Sequence, residues 1–125
     1  MIKKLDGILL SSANSKKLAD FYKKVVGLKC TGEWEVGEKG EAGFEFAGVK
    51  MFINQHSGVK GKSKDPARYM LNFEVDDIEK EVARLKKAKA RVIADTYHIE
   101  GYGLIATFQD VDGNYFQFVQ VKAKK

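Results

Sequence analysis

Side chains able to carry chemistry are few in this chain of 125 residues, which holds two histidines, His56 and His98, and a single cysteine, Cys30. One cysteine allows neither an intramolecular disulfide nor a multi-cysteine zinc site, and it suits a reducing compartment; Cys30 reads as a small, partly buried apolar residue rather than a nucleophile. The histidines fall at a strand end and in a loop. The glycine-bearing run Gly37 to Gly43, GEKGEAG, could cradle a phosphate only if a helix came directly after it, and the next residues form another extended run instead. Its glycines therefore read as hairpin turns. A general acid or base would have to come from Glu74, the carboxylate that strand alternation sends to the same face as Met70 and Asn72; its plainer reading is a surface residue at a strand end.

The framework around these residues can be read from length and pattern. With 44% hydrophobic residues the chain is long enough for one domain with a real core. The apolar run after the opening lysines spans only about four residues, against roughly 7 to 15 in a secretory leader, so a cytoplasmic protein with no membrane partner is expected. The formal charge of +5 comes from lysines at both termini, in the stretch Lys60, Lys62, Lys64, and on one helix interleaved with Glu79 and Glu81. That is a solvated surface. Without an aromatic-basic or helix-turn-helix pattern beside it, no nucleic-acid partner is expected.

A short first strand within residues 2–12 is followed by a helix opened by Asn14 or Ser15. Leu18, Phe21, Tyr22 and Val25 line one face of that helix, which ends near Val26 with Gly27 as a left-handed stop. Strands are expected at Cys30 to Val36, Gly43 to Phe46 and Val49 to Gln55. A polar, basic stretch holding the only proline, Pro66, reads as a linker, and the same order then restarts. A strand at Tyr69 to Val75 leads to a helix capped by Asp76 with Glu79, carrying the stripe Ile78, Val82, Leu85. Lys89 falls where a left-handed stop is expected. Strands at Arg91 to Thr96, Leu104 to Gln109 and Tyr115 to Val121 close the chain, the last two joined by the turn Asp110-Val111-Asp112-Gly113-Asn114. The result is βαβββ twice, in modules 1–57 and 69–121 joined by a linker at 58–68.

Three stretches carry a family resemblance: LADFYKKVVGL (18–28), FEVDDIEKEVARLKKAKARV (73–92) and FQDVDGNYFQFVQ (108–120). With them the chain resembles the vicinal oxygen chelate superfamily of glyoxalase I, ring-cleaving dioxygenases, fosfomycin-resistance enzymes and bleomycin-resistance proteins. The resemblance implies an α+β fold in which tandem βαβββ modules form a curled eight-stranded mixed sheet around a concave cavity, with two helices packed outside. Metal-dependent members hold a divalent ion at four positions that fall here on Gly7, Phe52, Met70 and Gln117. Glycine and phenylalanine offer no donor, methionine a soft thioether and glutamine a neutral carbonyl, so no metal and no other cofactor is expected.

Strand alternation sends Met70, Asn72, Tyr115 and Gln117 to one face and Leu71, Phe73, Phe116 and Phe118 toward the helix. Gly7, Leu9, Phe52, Met70, Asn72, Tyr115 and Gln117 are thereby expected to line a mostly apolar ligand pocket, with Tyr97, His98 and Tyr102 at its rim. The plainer alternative is that these side chains merely fill the barrel. Two function classes fit: a metal-free module that binds a small neutral or anionic organic molecule, which is preferred, and a lyase, isomerase or dioxygenase with a non-standard or absent metal site. Catalytic residues stay unassigned, and a homodimer is expected by analogy with two-module members of the fold.

Overall fold

A computed structural model gives the fold and describes residues 1–36, 39–46 and 48–121, with the backbone alone at 32–36, 39–41 and 46. The chain divides into two compact units, Met1–Gly61 and Lys62–Lys125. The first contains β1 (Gly7–Ser12), α1 (Ser15–Asp20) prolonged by a π-helical stretch (Phe21–Val26), β2 (Gly32–Val36), β3 (Lys39–Phe46) and β4 (Val49–Gln55). The second contains β5 (Leu71–Glu74), α2 (Ile78–Lys87), β6 (Arg91–Ile99), β7 (Gly103–Gln109) and β8 (Tyr115–Val121). Strand order is β1-β4-β3-β2 in one sheet and β5-β8-β7-β6 in the other. In each, the first strand runs parallel to the last and the remaining pairs are antiparallel. The fold is thus α+β with tandem βαβββ modules, and the eight strands among the described residues are shared equally between two mixed sheets.

Both helices start by one device, needed because the first amides of a helix have no partner within it. Asn14 Oδ1 accepts the Lys17 N–H at 3.1 Å, and Asp77 Oδ1 accepts the Lys80 N–H at 3.2 Å. A glutamine from the last strand of the same unit then takes the first helical amide: Gln55 Oε1 accepts from Ser15 at 2.9 Å, Gln120 Oε1 from Ile78 at 2.8 Å. The cap of α2 is therefore Asp77 and not Asp76. Three residues beyond Asp77 stands Lys80, which has no acceptor to return, so the expected box does not form and Gln120 stands in for it.

The helix ends differ. Past Asp20 the first helix widens, and both Gly27 and Leu28 donate to the Tyr22 carbonyl, at 3.0 and 2.8 Å, with Gly27 at φ 93°. The wider turn rotates the apolar face, so that Val26 rather than the expected Val25 is buried with Leu18, Phe21 and Tyr22. α2 ends as the sequence predicts, on Lys89 at φ 64°, the one non-glycine residue with positive φ among those described. Lys89 donates to Lys86 and Ala90 to Leu85, each at 3.0 Å, which closes a Schellman motif.

Each helix covers one face of its own sheet. In the first unit Phe44, Met51 and Ile53 are buried together with Leu18 and Ala19 of α1 and with Phe21, Tyr22 and Val26 of its π-helical continuation; in the second, Ile78, Val82 and Leu85 are buried as their spacing requires. Beneath α2 the rings of Phe73, Phe108, Phe116 and Phe118 form a cluster with centroids 5.5 to 6.2 Å apart. Aromatic pairs in this range add to the burial of their area.

Several boundaries differ from expectation. Gly40 and Gly43 lie inside β3, whose ladder with β2 runs from Gly43 opposite Gly32 to Lys39 opposite Val36; Gly37 lies outside the described residues, as does the Trp34 side chain. Gly43 is also the partner of Phe52, a position where a missing side chain leaves room for a ring. β6 runs on to Ile99, so Tyr97 and His98 belong to a strand and not to a loop. Register shifts between Val92 and Tyr97 break the alternation by which a sequence reveals a strand. Tyr69, expected to open the strand, precedes β5 and is 86% exposed.

Candidate functional site

Alternation gives each sheet a face away from its helix, and the seven candidate residues divide between these two faces. In the first unit Gly7 and Leu9 share a face of β1, and Phe52 joins them because it is the register partner of Leu9. Leu9 is 58% exposed and Phe52 half-buried. Gly7 has a reason of its own: a Cβ there would lie 2.6 Å from the backbone oxygen of Lys50. Glycine at this position is demanded by the close approach of β1 to β4.

In the second unit Asn72 pairs with Gln117, and Gln117 with Thr107, so the three side chains form a polar row across β5, β8 and β7. Met70, just before β5, and Tyr115 share this face by parity. Gln117 is only 9% exposed, and its Nε2 donates to Thr107 Oγ1 at 2.8 Å. Its Oε1 takes no hydrogen bond among the described residues, and no buried side-chain polar atom lacks a partner, so this oxygen reaches solvent. Beside the row lie Ile105 and Val119, paired with each other and buried, and Tyr97 is the register partner of Ile105. Glu74 ends β5 exposed to solvent.

Thr107 was not among the residues singled out from sequence. The turn at 110–114 pairs Gln109 with Tyr115, and counting back in twos from there sets Thr107 opposite Gln117. Of the rim residues, Tyr97 shares the face of Ile105. His98 pairs with Leu104, whose parity sets it on the opposite face, and Tyr102 lies in the β6–β7 turn with its N–H on the Ile99 carbonyl.

The β7–β8 turn is held rigidly by Asp110, whose carboxylate accepts the Asp112 N–H, the Asn114 N–H and the Asn114 Nδ2, at 2.9, 2.9 and 3.0 Å. Against it lies the chain that the sequence marks as a linker: the Ser63 N–H donates to the Asp112 carbonyl at 2.9 Å, and Lys62 Cβ stands 3.2 Å from where a Cβ on Gly113 would be. The Arg68 N–H donates to the Asp65 carbonyl at 3.0 Å, closing a turn with Pro66 at its second position. Between this turn and Tyr115 runs an open groove of about 430 Å³.

The residues present do not fit a divalent cation. Of the four positions implied by the resemblance, Gly7 can carry no side chain without moving β4, Phe52 has no donor, Met70 offers a thioether and Gln117 a neutral amide already engaged through its nitrogen. Among the described residues no three His, Cys, Asp or Glu side chains are grouped so as to hold a metal ion. His56 lies just after β4 and accepts the Gly58 N–H on Nδ1 at 2.9 Å. Cys30 is half-buried and forms no disulfide. No helix among the described residues is long and apolar enough to cross a membrane.

Comparison with known proteins agrees with the fold. The chain matches the family model of the glyoxalase-like domain over residues 7–119. No curated protein sequence matches it. Among solved structures it is similar to the antibiotic binding protein TnmS3 from Streptomyces sp. CB03234, at 19% identity and TM-score 0.76 over 97% of this chain and 98% of that one. It is similar also to a glyoxylase/bleomycin resistance protein/dioxygenase domain from Frankia sp. EAN1pec, at 18% identity and TM-score 0.77 over 98% and 100%. The fosfomycin resistance protein FosX from Listeria monocytogenes, in a mutant form complexed with Mn(II), is similar at 18% identity and TM-score 0.73 over 98% and 93%. At such identities the likeness is one of fold, on which unrelated functions are carried.

Proposed function

Because this chain belongs to the glyoxalase-like family, we propose that it binds a small neutral or anionic organic molecule without a metal ion, on the helix-free sheet face of the second unit. The observation that carries this reading is the Gln117–Thr107 pair: nearly buried, joined at 2.8 Å, with the Gln117 oxygen open and Ile105 and Val119 beside it. A few oriented polar groups on an apolar ground are the ordinary means by which a protein holds a small organic ligand. Asn72, Met70 and Tyr115 extend that surface, and Gly7, Leu9 and Phe52 form the corresponding face of the first unit. The net charge of +5 attracts anions and disfavours a polycation. The Streptomyces neighbour, an antibiotic binding protein, lends the reading a parallel.

Titration with a panel of small neutral and anionic metabolites, followed by melting temperature, tests it. At least one saturable ligand is expected, its shift reduced in the Gln117→Leu/Thr107→Val variant. Elemental analysis after exchange into metal-free buffer is expected to find no stoichiometric nickel, zinc, manganese or iron, and the hemithioacetal of methylglyoxal and glutathione is expected to stay unconverted. About one ion retained per chain would overturn the metal-free reading in favour of a lyase, isomerase or dioxygenase with an unusual site.

The proposal includes a cytoplasmic homodimer. β1 and β5 are sheet edges, and exposed apolar side chains lie along or just before them: Leu5 at 66%, Leu9, Tyr69 and Met70. A second copy of the chain covering these edges would remove a liability that monomers otherwise manage with charge. Light scattering that returns the single-chain mass of 14.0 kDa at micromolar concentration would sink this part.

A further inference from the structure

The groove beside Tyr115 is lined by Lys64, Asp65, Pro66, Ala67 and Arg68 together with that tyrosine. We propose that it is a binding site for a small aromatic monocarboxylate, with the carboxylate on Arg68 and Lys64 and the ring against Tyr115. The inference shares Tyr115 with the proposed binding face and otherwise does not rest on that reading.

Three observations carry it. The first is that the groove is built and not merely left over. Its one wall is a turn fixed by Pro66 and by the Arg68 N–H on the Asp65 carbonyl, moored to the hairpin by the Ser63 N–H on Asp112. Its other wall begins at Tyr115, next to a turn in which the Asp110 carboxylate takes three hydrogen bonds and Gln109 Nε2 donates to the Gly113 carbonyl. Walls already ordered before binding reduce the entropy a ligand must offset. The second observation is size: the open groove, about 430 Å³, has room for a single ring with one substituent.

The third is charge. Lys64 and Arg68 contribute two positive charges and Asp65 one negative, a balance that matches a monoanion better than a phosphate dianion. Arg68 and Asp65 approach only to 3.9 Å, with both side chains mostly exposed, an ion pair weak enough for an incoming carboxylate to displace. The planar guanidinium fork fits a carboxylate with two parallel hydrogen bonds, and the half-buried Tyr115 ring offers an aromatic surface beside it.

The test uses benzoate, neutral benzamide and inorganic phosphate as probes, followed through backbone amide shifts of the full chain. Benzoate is expected to shift the amides of residues 64, 65, 67, 68 and 115 saturably, with Kd on the order of 1 mM, and benzamide and phosphate to bind about tenfold more weakly. Arg68→Gln should weaken benzoate about tenfold, and Asp65→Asn should strengthen it a few-fold, a gain that a merely structural role for Asp65 would not give. Because the charges are exposed, binding should also fall with added salt.

Absence of saturable shifts at about 20 mM benzoate overturns the inference, as does equal binding of benzamide or phosphate, or an Arg68→Gln variant that binds as before. If benzoate instead shifts residues 72, 107 and 117, and the Gln117→Leu/Thr107→Val variant abolishes this, the groove is wrong while the proposed sheet-face site stands. Shifts confined to 64–68 and 115 that survive that double variant support the groove whatever becomes of the sheet face.

Discussion

In the first unit the helix widens into a π-helical stretch and stops on Gly27 at φ 93°, whereas in the second it stays α-helical and stops on Lys89 at φ 64°. The beginnings of the same helices are alike, with an Asn or Asp cap and a glutamine lent by the last strand. The helix-free faces diverge again: that of the first unit carries Leu9 and Phe52, that of the second Asn72, Thr107 and Gln117. The parts held in common satisfy backbone donors that have no other partner, so they admit few solutions. The parts that differ involve side chains whose surroundings each unit sets for itself, and there a binding surface can be built.

The sharpest test of this division compares Gly7 with Met70, the residue just before β5. Gly7→Ala drives a Cβ onto the Lys50 carbonyl oxygen and is expected to cost about 2 kcal/mol or more in urea denaturation. Met70→Ala, at a half-exposed and unpaired position, should cost less than about 0.5 kcal/mol. Equal losses would mean that the strands are not constrained as unequally as their registers imply.

Next in size are the glutamine caps. Gln55→Ala and Gln120→Ala should each cost about 1 kcal/mol, and Gln55 somewhat more because its Nε2 also donates to the Ala13 carbonyl. A loss seen at only one of them would break the likeness between the units. Smaller again is the exchange of helix stops. Lys89→Gly should stabilise by roughly 0.5–1 kcal/mol, and Gly27→Lys should destabilise by a similar amount. A clear fall in melting temperature for Lys89→Gly would show that α2 closes in some other way.

The smallest effect belongs to a strut of the second unit, Lys86 Nζ to Asp95 Oδ2 at 2.6 Å, joining α2 to β6. The hydrogen bond from Lys86, helped by the Thr96 N–H, holds the Asp95 carboxyl below its usual range. A lowered folded-state pKa means that the stabilisation is present above the ordinary carboxylate value and is lost as pH falls through the lowered one. Asp95→Asn should therefore lower the melting temperature slightly at pH 7 and not at all in strong acid, and about 1 M salt should erase the difference.

Much of the fold was legible in the residues because it rests on local rules. Ile78, Val82 and Leu85 announce their stripe, Gly27 and Lys89 mark the stops, and Asp112-Gly113 marks the last hairpin. The illegible parts depend on partners distant in sequence. Nothing near Asp77 says that Gln120 will complete its cap, and nothing in Gly40 or Gly43 distinguishes a turn from a strand whose ladder bonds are backbone alone. The chain at 62–68 looked like a linker because it is polar and basic, while its attachment to the hairpin runs through the Ser63 amide and the missing side chain of Gly113. The candidate site shows the same pattern: parity placed Asn72 and Gln117 on one face, but the partner of Gln117 emerged only with the register of β7.

The borrowed glutamines also bear on the order in which the protein can form. Each joins residues about forty apart, Gln55 to Ser15 and Gln120 to Ile78, and each strand that carries one is also the parallel partner of its unit's first strand. A helix in this chain cannot reach its final capped state while the end of its own unit is still missing, so its completion waits on a long loop closure and not on local winding. During synthesis the first unit has every such contact available once Gln55 has emerged, when most of the second unit is still unmade, and cotranslational folding should proceed in two successive closures.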